Sequence, residues 1–203
     1  MKKLLLLASL IGTASLVQAT TVSSGLTYLS GDNAYSWGFT PSLTSGQTIS
    51  SFEIDFSSVD LVAGNSSGTG YLYTDLLNTK TTGITTLTDN DVAGDYWATV
   101  LSSANRTSLG SKYFSSVGTT LTWSYVLTAD QLAALNSDLT ANGVIDIGLD
   151  PDCHYSASGI SVTYSTATAN AGTSTVPDGA TTMILLALGL GAVEVFRRRF
   201  VKA

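Results

Sequence analysis

Cysteine and histidine each occur once in the 203 residues, side by side as Cys153 and His154. A lone thiol excludes an intramolecular disulfide, so the core must stabilise the fold, alone or with bound ions. Zinc needs several thiolates and imidazoles converging on one ion. Adjacent residues of an extended segment point to opposite faces, so Cys153 and His154 are poorly placed for zinc or for Cys–His catalysis. Any Ser-His-Asp machinery would have to use His154, and no Gly-x-Ser-x-Gly elbow is present. Positive charge is also scarce. Between positions 20 and 175 the basic residues are Lys80, Arg106 and Lys112, against Glu53 and twelve aspartates, a net charge of −10. Such a field argues against nucleic acid, whose binding depends on phosphate neutralisation, and is compatible with cations.

What is present at the two ends is patterned. Lys2 and Lys3 precede an apolar run from Leu4 to Leu16, and Val17 and Ala19 stand where a signal peptidase reads small residues. Residues 1–19 read as a secretory signal peptide. No cysteine follows the cut, which disfavours a lipoprotein-type lipid anchor. At the other end, Met183 to Phe196 is apolar except for Glu194, and Arg197, Arg198 and Arg199 follow. A helix over that run is roughly 21 Å long, short of a bilayer core of about 30 Å, but counting from Ala180 reaches the lower edge of the spanning range. The expectation is a transmembrane helix over about residues 180–196. The arginines stop transfer and fix the tail inside, with the preceding chain outside.

Just before that run stands Val176-Pro177-Asp178-Gly179. Proline fixes φ and glycine permits the turn, so this is an accessible handle. A GPI signal would lack the arginine cluster, and no LPxTG motif is present. "VPDGATT", the short span and "RRRF" together resemble the VPDSG-type variant of the PEP-CTERM sorting domain. The departures are Ala180, where the variant often has Ser or Gly, and Glu194 inside the span. The resemblance implies that an exosortase-like membrane protease or transpeptidase reads Val176, Pro177, Asp178 and Gly179. It implies a chain exported through the inner membrane of a Gram-negative-type bacterium. The chain is held there transiently, then placed at the cell surface or in an extracellular matrix. More loosely, the central region is similar to small β-rich exosortase substrates with a "DPDCHY"-like segment, a likeness that implies no activity.

Period-two patterns dominate the region between. "AYSWGF", "FEIDF", "GYLYTDLL", "DYWATVL", "LTWSYVL", "VIDIGL" and "ISVTY" read as strands, separated by turn signals "SGD", "SGQ", "AGNSSGTG" and "SLGS". Trp37 and Trp123 fall on apolar faces and read as core. "TADQLAALNSDLTANG" reads as one short helix, with a capping box at Thr128 and Gln131 and a Leu132, Leu135, Leu139 stripe. The expected fold is all-β: an antiparallel two-sheet sandwich, jelly-roll-like, with a closed barrel as the alternative. The divisions are a signal peptide at 1–19, a β-sandwich ectodomain at 20–164, a Ser/Thr/Ala-rich stalk at 165–175 and the sorting signal at 176–203.

Two acidic segments invite a cation. "TDNDVAGDY" places Asp89, Asp91 and Asp95 near Gly94, which imitates the start of a calcium loop. Ala93 and Val100 occupy later ligand positions, which excludes an EF-hand and leaves a partial calcium site, completed by Asp75 or another loop, or an acidic turn. "GLDPDCHYSASG" offers Asp150 and Asp152. The number of aspartates makes any chosen carboxylate pair uninformative for glycoside hydrolysis. The functional expectation is a non-enzymatic surface or matrix protein without a cofactor. The alternative is a calcium-assisted carbohydrate-binding module, and a hydrolase comes third. Expected partners are the exosortase-like enzyme, the inner membrane and extracellular polysaccharide, not nucleic acid.

Overall fold

The computed structural model describes residues 19–89 and 94–168. Residues 1–18 of the expected signal peptide, the later stalk, the sorting motif, the apolar span, the arginine cluster and Asp91 lie outside them. Among the described residues the order is β1 (Ala19–Ser23), β2 (Tyr28–Leu29), β3 (Asn33–Phe39), β4 (Gln47–Ala63), β5 (Gly70–Leu77), β6 (Gly83–Thr88), α1 (Tyr96–Val100), β7 (Arg106–Phe114), β8 (Thr120–Val126), α2 (Ala129–Asn142), β9 (Ile145–Pro151), β10 (His154–Ser156) and β11 (Gly159–Thr168).

These strands form two antiparallel sheets. In the first, β4 is the spine. It pairs with β11 and then β10 along one edge and with β8 along the other, while β1 and β2 extend the sheet beyond β11 and β10. The second sheet runs β6-β3-β9-β5-β7. One extra residue of β4 sits between its Phe56–Trp123 and Val59–Leu121 pairings, where Ser58 has a φ of 46°. A bulge there bends the long strand and curls its sheet.

Alternation sets the core. Phe52, Ile54 and Phe56 of β4 face inward with Ile160, Val162 and Tyr164 of β11. Tyr35 and Trp37 of β3, Leu72 and Leu76 of β5, and Ile145, Ile147 and Leu149 of β9 meet them in one buried cluster. Each large apolar side chain so buried contributes about 1.5–3 kcal/mol. Trp37 is in this core, and Trp123 packs against it, stacked on Phe56 at 4.4 Å.

Helix α2 starts at the expected capping box, with the Thr128 side chain accepting from Gln131 N, and stops at Gly143, whose φ of 74° suits glycine. Leu135 and Leu139 are buried. The Asn136 amide docks the helix on β4: Ile49 N donates to Oδ1 and Nδ2 donates to Ile49 O, both at 2.9 Å. Such a side chain continues the backbone ladder where β8 does not reach. Leaving such groups unpaired and buried costs about 1–3 kcal/mol each.

Four expectations change. "DYWATVL" is not a strand: residues 96–100 form α1, so there are two helices, because Gly94 (φ 106°) turns the chain and Asp95 caps the new helix. "SLGS" is not a turn between strands but lies within β7. There Gly110 (φ 112°) accompanies a register shift opposite Thr74 and Asp75, so glycine marks a bulge. Ser165–Thr168, assigned to the stalk, belong to β11 and pair with β4. Ala19, assigned to the signal peptide, opens β1 opposite Ser165. Polar alternation hid both ends, since Ser and Thr occupy the half-exposed positions of these outer strands.

Candidate functional site

The second sheet packs one face on the main core, and its partly covered outer face carries the titratable groups. Register places Tyr73 beside Asp150, Asp75 beside Gly148 and Leu77 beside Asp146 on β5 and β9. Asp75, Asp146 and Asp150 are therefore outward-facing, yet each is almost wholly buried. The segment from Gly94 through α1 closes over Asp75 and Asp150, while Asp146 is held by Ser36 and Thr79. Trp97 of α1 joins Ala34 and Leu77 in a small second core. It fits because residue 148 is glycine: a Cβ there would stand 2.8 Å from Trp97 Nε1.

Polar contacts hold this cover in place. Tyr96 N donates to Asp150 Oδ2 at 2.6 Å, and Gly94 N donates to Asp152 Oδ1 at 3.4 Å. Asp95 Oδ1 accepts from Ala98 N at 3.3 Å, capping α1. Asp95 Oδ2 accepts from Arg106 Nη1 at 2.7 Å, and the same nitrogen donates to Asp75 Oδ1 at 2.6 Å. Asp146 accepts from Ser36 Oγ at 2.6 Å and from Thr79 Oγ1. One guanidinium thus serves two carboxylates, one of them fully buried.

The electrostatic consequences are large. Burial, then the charge of Asp95, pushes Asp75 up to about 7 despite Arg106. Burial, then Asp89, Asp152 and Asp95, pushes Asp150 up to about 8 despite the Tyr96 amide. Asp146 is also raised by burial, against the hydrogen bonds that favour its charge. A buried carboxylate of raised proton affinity beside a cation, as Asp75 is beside Arg106, resembles one member of an acid–base site. The Asp75 side chain is closed to solvent, and the arrangement binds a helix to a sheet through Arg106.

The structure brings together the two acidic segments, since 94–96 rest on Asp150 and Asp152. Asp89 is buried at the end of β6, and Asp95 has both oxygens engaged by α1 and Arg106. Among the described residues no group of three acidic, histidine or cysteine side chains is arranged to hold a metal ion. Arg106 was not singled out from sequence. The available signal was aspartate at period two within apolar strands, as in "VIDIGLD", which demands a buried cation or proton nearby.

Cys153 and His154 diverge as their adjacency demands. Cys153 lies in the main core, and its thiol donates to Thr69 O at 3.3 Å. His154 Nδ1 instead accepts from Gly31 N at 2.9 Å, and its ring stacks on Tyr28. Ser30 Oγ lies 3.3 Å from His154 Nδ1 and 3.4 Å from Asp32 Oδ2. The carboxylate thus meets the serine rather than the second imidazole nitrogen, so the relay of a nucleophilic triad is not assembled.

A family model of the VPDSG-CTERM motif matches residues 175–200. The C-terminus therefore carries a PEP-CTERM-type sorting signal, which implies an exported protein processed by the exosortase system. The chain matches no curated protein and no solved structure.

The raised acids fix the sign of the pH dependence. Unfolded, Asp75 and Asp150 titrate near 3.8; folded, near 7 and 8. Between these values the folded state holds more protons, so stability falls as pH rises, with a slope of up to about 1.4 kcal/mol per pH unit for each group. Melting followed by circular dichroism should show a lower Tm at pH 8 than at pH 5, within about 4–8 where the linkage acts. Asp150→Asn keeps an acceptor for Tyr96 N and removes the charge. It should flatten the profile and raise Tm at the alkaline end. A wild-type Tm that climbs across this range would contradict the assignment.

Proposed function

We propose that this chain is a non-catalytic cell-surface or extracellular-matrix protein. Its tail anchors it transiently in the inner membrane of a Gram-negative-type cell, and an exosortase-like enzyme releases or transfers it at Val176-Pro177-Asp178-Gly179. The match of residues 175–200 to the VPDSG-CTERM motif carries the reading. The sequence is consistent with it. Arg197, Arg198 and Arg199 follow an apolar run, as positive residues retained inside do. Seven small residues, 169–175, separate the end of β11 from Val176. Fully extended they reach at most about 25 Å, enough for an enzyme to read the turn without unpairing the last strand. The buried state of Asp75 and the geometry at His154 favour a binding or scaffolding role over catalysis.

The approach of residues 94–96 to Asp150 and Asp152 favours a second reading, a calcium-assisted carbohydrate-binding module. A bound ion at 100 times its Kd stabilises by about 2.7 kcal/mol. An unchanged Tm on adding saturating calcium would remove that reading.

The sorting reading is tested by replacing Pro177 and Asp178 with alanine. Mass spectrometry of envelope and secreted fractions should find the wild-type chain without "RRRFVKA" and outside the inner membrane. The variant should stay there at full length with an unaltered ectodomain melting profile. A wild-type surface species that still carries the arginine cluster would show a permanent anchor instead.

A further inference from the structure

Three tyrosines stand on the outward face of β5 and β7, beside the acidic cover. Tyr71 and Tyr73 are two residues apart on β5, and Tyr113 is the cross-strand partner of Tyr71. The ring centroids of Tyr71 and Tyr73 are 6.0 Å apart with planes at 26°. Those of Tyr71 and Tyr113 are 4.9 Å apart at 42°. Tyr71 is 39% and Tyr113 48% exposed, and Tyr73 is half-buried. The rings make a continuous aromatic strip outside the main core, with Tyr71 and Tyr113 open to solvent.

Its surroundings are negative. Asp150 is the β9 neighbour of Tyr73, and Asp152 N donates to Tyr71 O at 3.0 Å. Burial and the charges of Asp152 and Asp150 raise the Tyr73 phenol. The basic residues of β7 do not offset this field. Arg106 is held between Asp75 and Asp95, and the Lys112 ammonium lies over Trp123 at 5.8 Å from the ring centroid. Lys112 is the β7 partner of Leu72, an inward-facing residue, so it stands on the other side of the sheet.

Size and charge select the ligand. Three rings of about 150–250 Å² each, only partly exposed, fall short of the roughly 800 Å² per partner of a standard protein interface. A narrow polymer fits a narrow strip. Sugar rings offer flat C–H faces for stacking and hydroxyls for the polar rim. Aromatic faces in a negative field attract cations and repel anions.

We propose that Tyr71, Tyr73 and Tyr113 form a binding strip for an extended polysaccharide whose hexosamine units carry free, protonated amino groups. Amino-bearing sugars stack on the rings while their charge faces the half-exposed Asp152, and uronate polymers are excluded. The proposal deepens the interaction role given above and needs neither tail processing nor calcium.

Titration calorimetry on the full chain in detergent, without calcium, tests it with glucosamine, N-acetylglucosamine and galacturonate oligomers of equal length. The glucosamine oligomer should bind tightest and the galacturonate oligomer not measurably. Threonine suits a strand. Tyr71→Thr and Tyr113→Thr should each weaken glucosamine binding at least about fivefold, and Tyr71→Phe should retain most of it. Melting of each variant verifies folding, and Tyr71→Phe supplies a readout should the threonine variants unfold. Failure of any oligomer to bind, equal or tighter binding of the acetylated or acidic oligomer, or unchanged affinity in both folded threonine variants would overturn it. Fractionation of the wild-type chain reports on sorting separately, so the two readings fail independently.

Discussion

Arg106 joins the buried carboxylate of Asp75 to Asp95 at the start of α1, and the covered face of the second sheet depends on that bridge. A sandwich sheet ordinarily leaves its outer face to water. Here β5 and β9 place Asp75, Asp146 and Asp150 outward; the segment leading into α1 covers Asp75 and Asp150, while Ser36 and Thr79 hold Asp146. Burying charge is costly unless it is paired or protonated. Both remedies are used. Arg106 bridges Asp75 and Asp95, which ties β5 and β7 to the N-terminus of α1, and Asp75 and Asp150 retain protons near neutral pH.

This cover decides what the rest of the face can present. Gly148 admits Trp97, and Trp97 fills the gap over Ala34 and Leu77. With α1 occupying one part of the face, the part near Tyr71 and Tyr113 stays open and inherits the negative field. The sorting signal lies at the far end of the sequence, behind the last strand. The VPDSG-CTERM match falls in 175–200, after the last described strand in sequence.

The core strands were legible because burial enforces a period of two. Phe52, Ile54 and Phe56, or Ile160, Val162 and Tyr164, leave little choice of face. Helix α2 was legible because its capping box and Gly143 are local chemistry. What escaped were elements whose residues satisfy partners remote in sequence. Strand β6, "GITTLT", has no apolar face and forms because β3 offers an edge. Helix α1 looked like a strand because Tyr96 and Trp97 favour strands, whereas a cap and a glycine gap on β9 made it helical. The candidate cluster was half visible: its aspartates could be counted, but their convergence on Arg106 depends on a register shift between β5 and β7 that no local pattern encodes.

The most direct measurement is the thermal unfolding of Arg106→Met at pH 5 and pH 8, beside the wild type. Removing the cation strands the buried carboxylate of Asp75 where that acid is ionised, and breaking such a pair costs about 3–5 kcal/mol. Once Asp75 is protonated the cation is no longer required. The loss in Tm should therefore be large at pH 8 and much smaller at pH 5. An equal loss at both values would contradict a charge-held cover and reduce Arg106 to a packing residue.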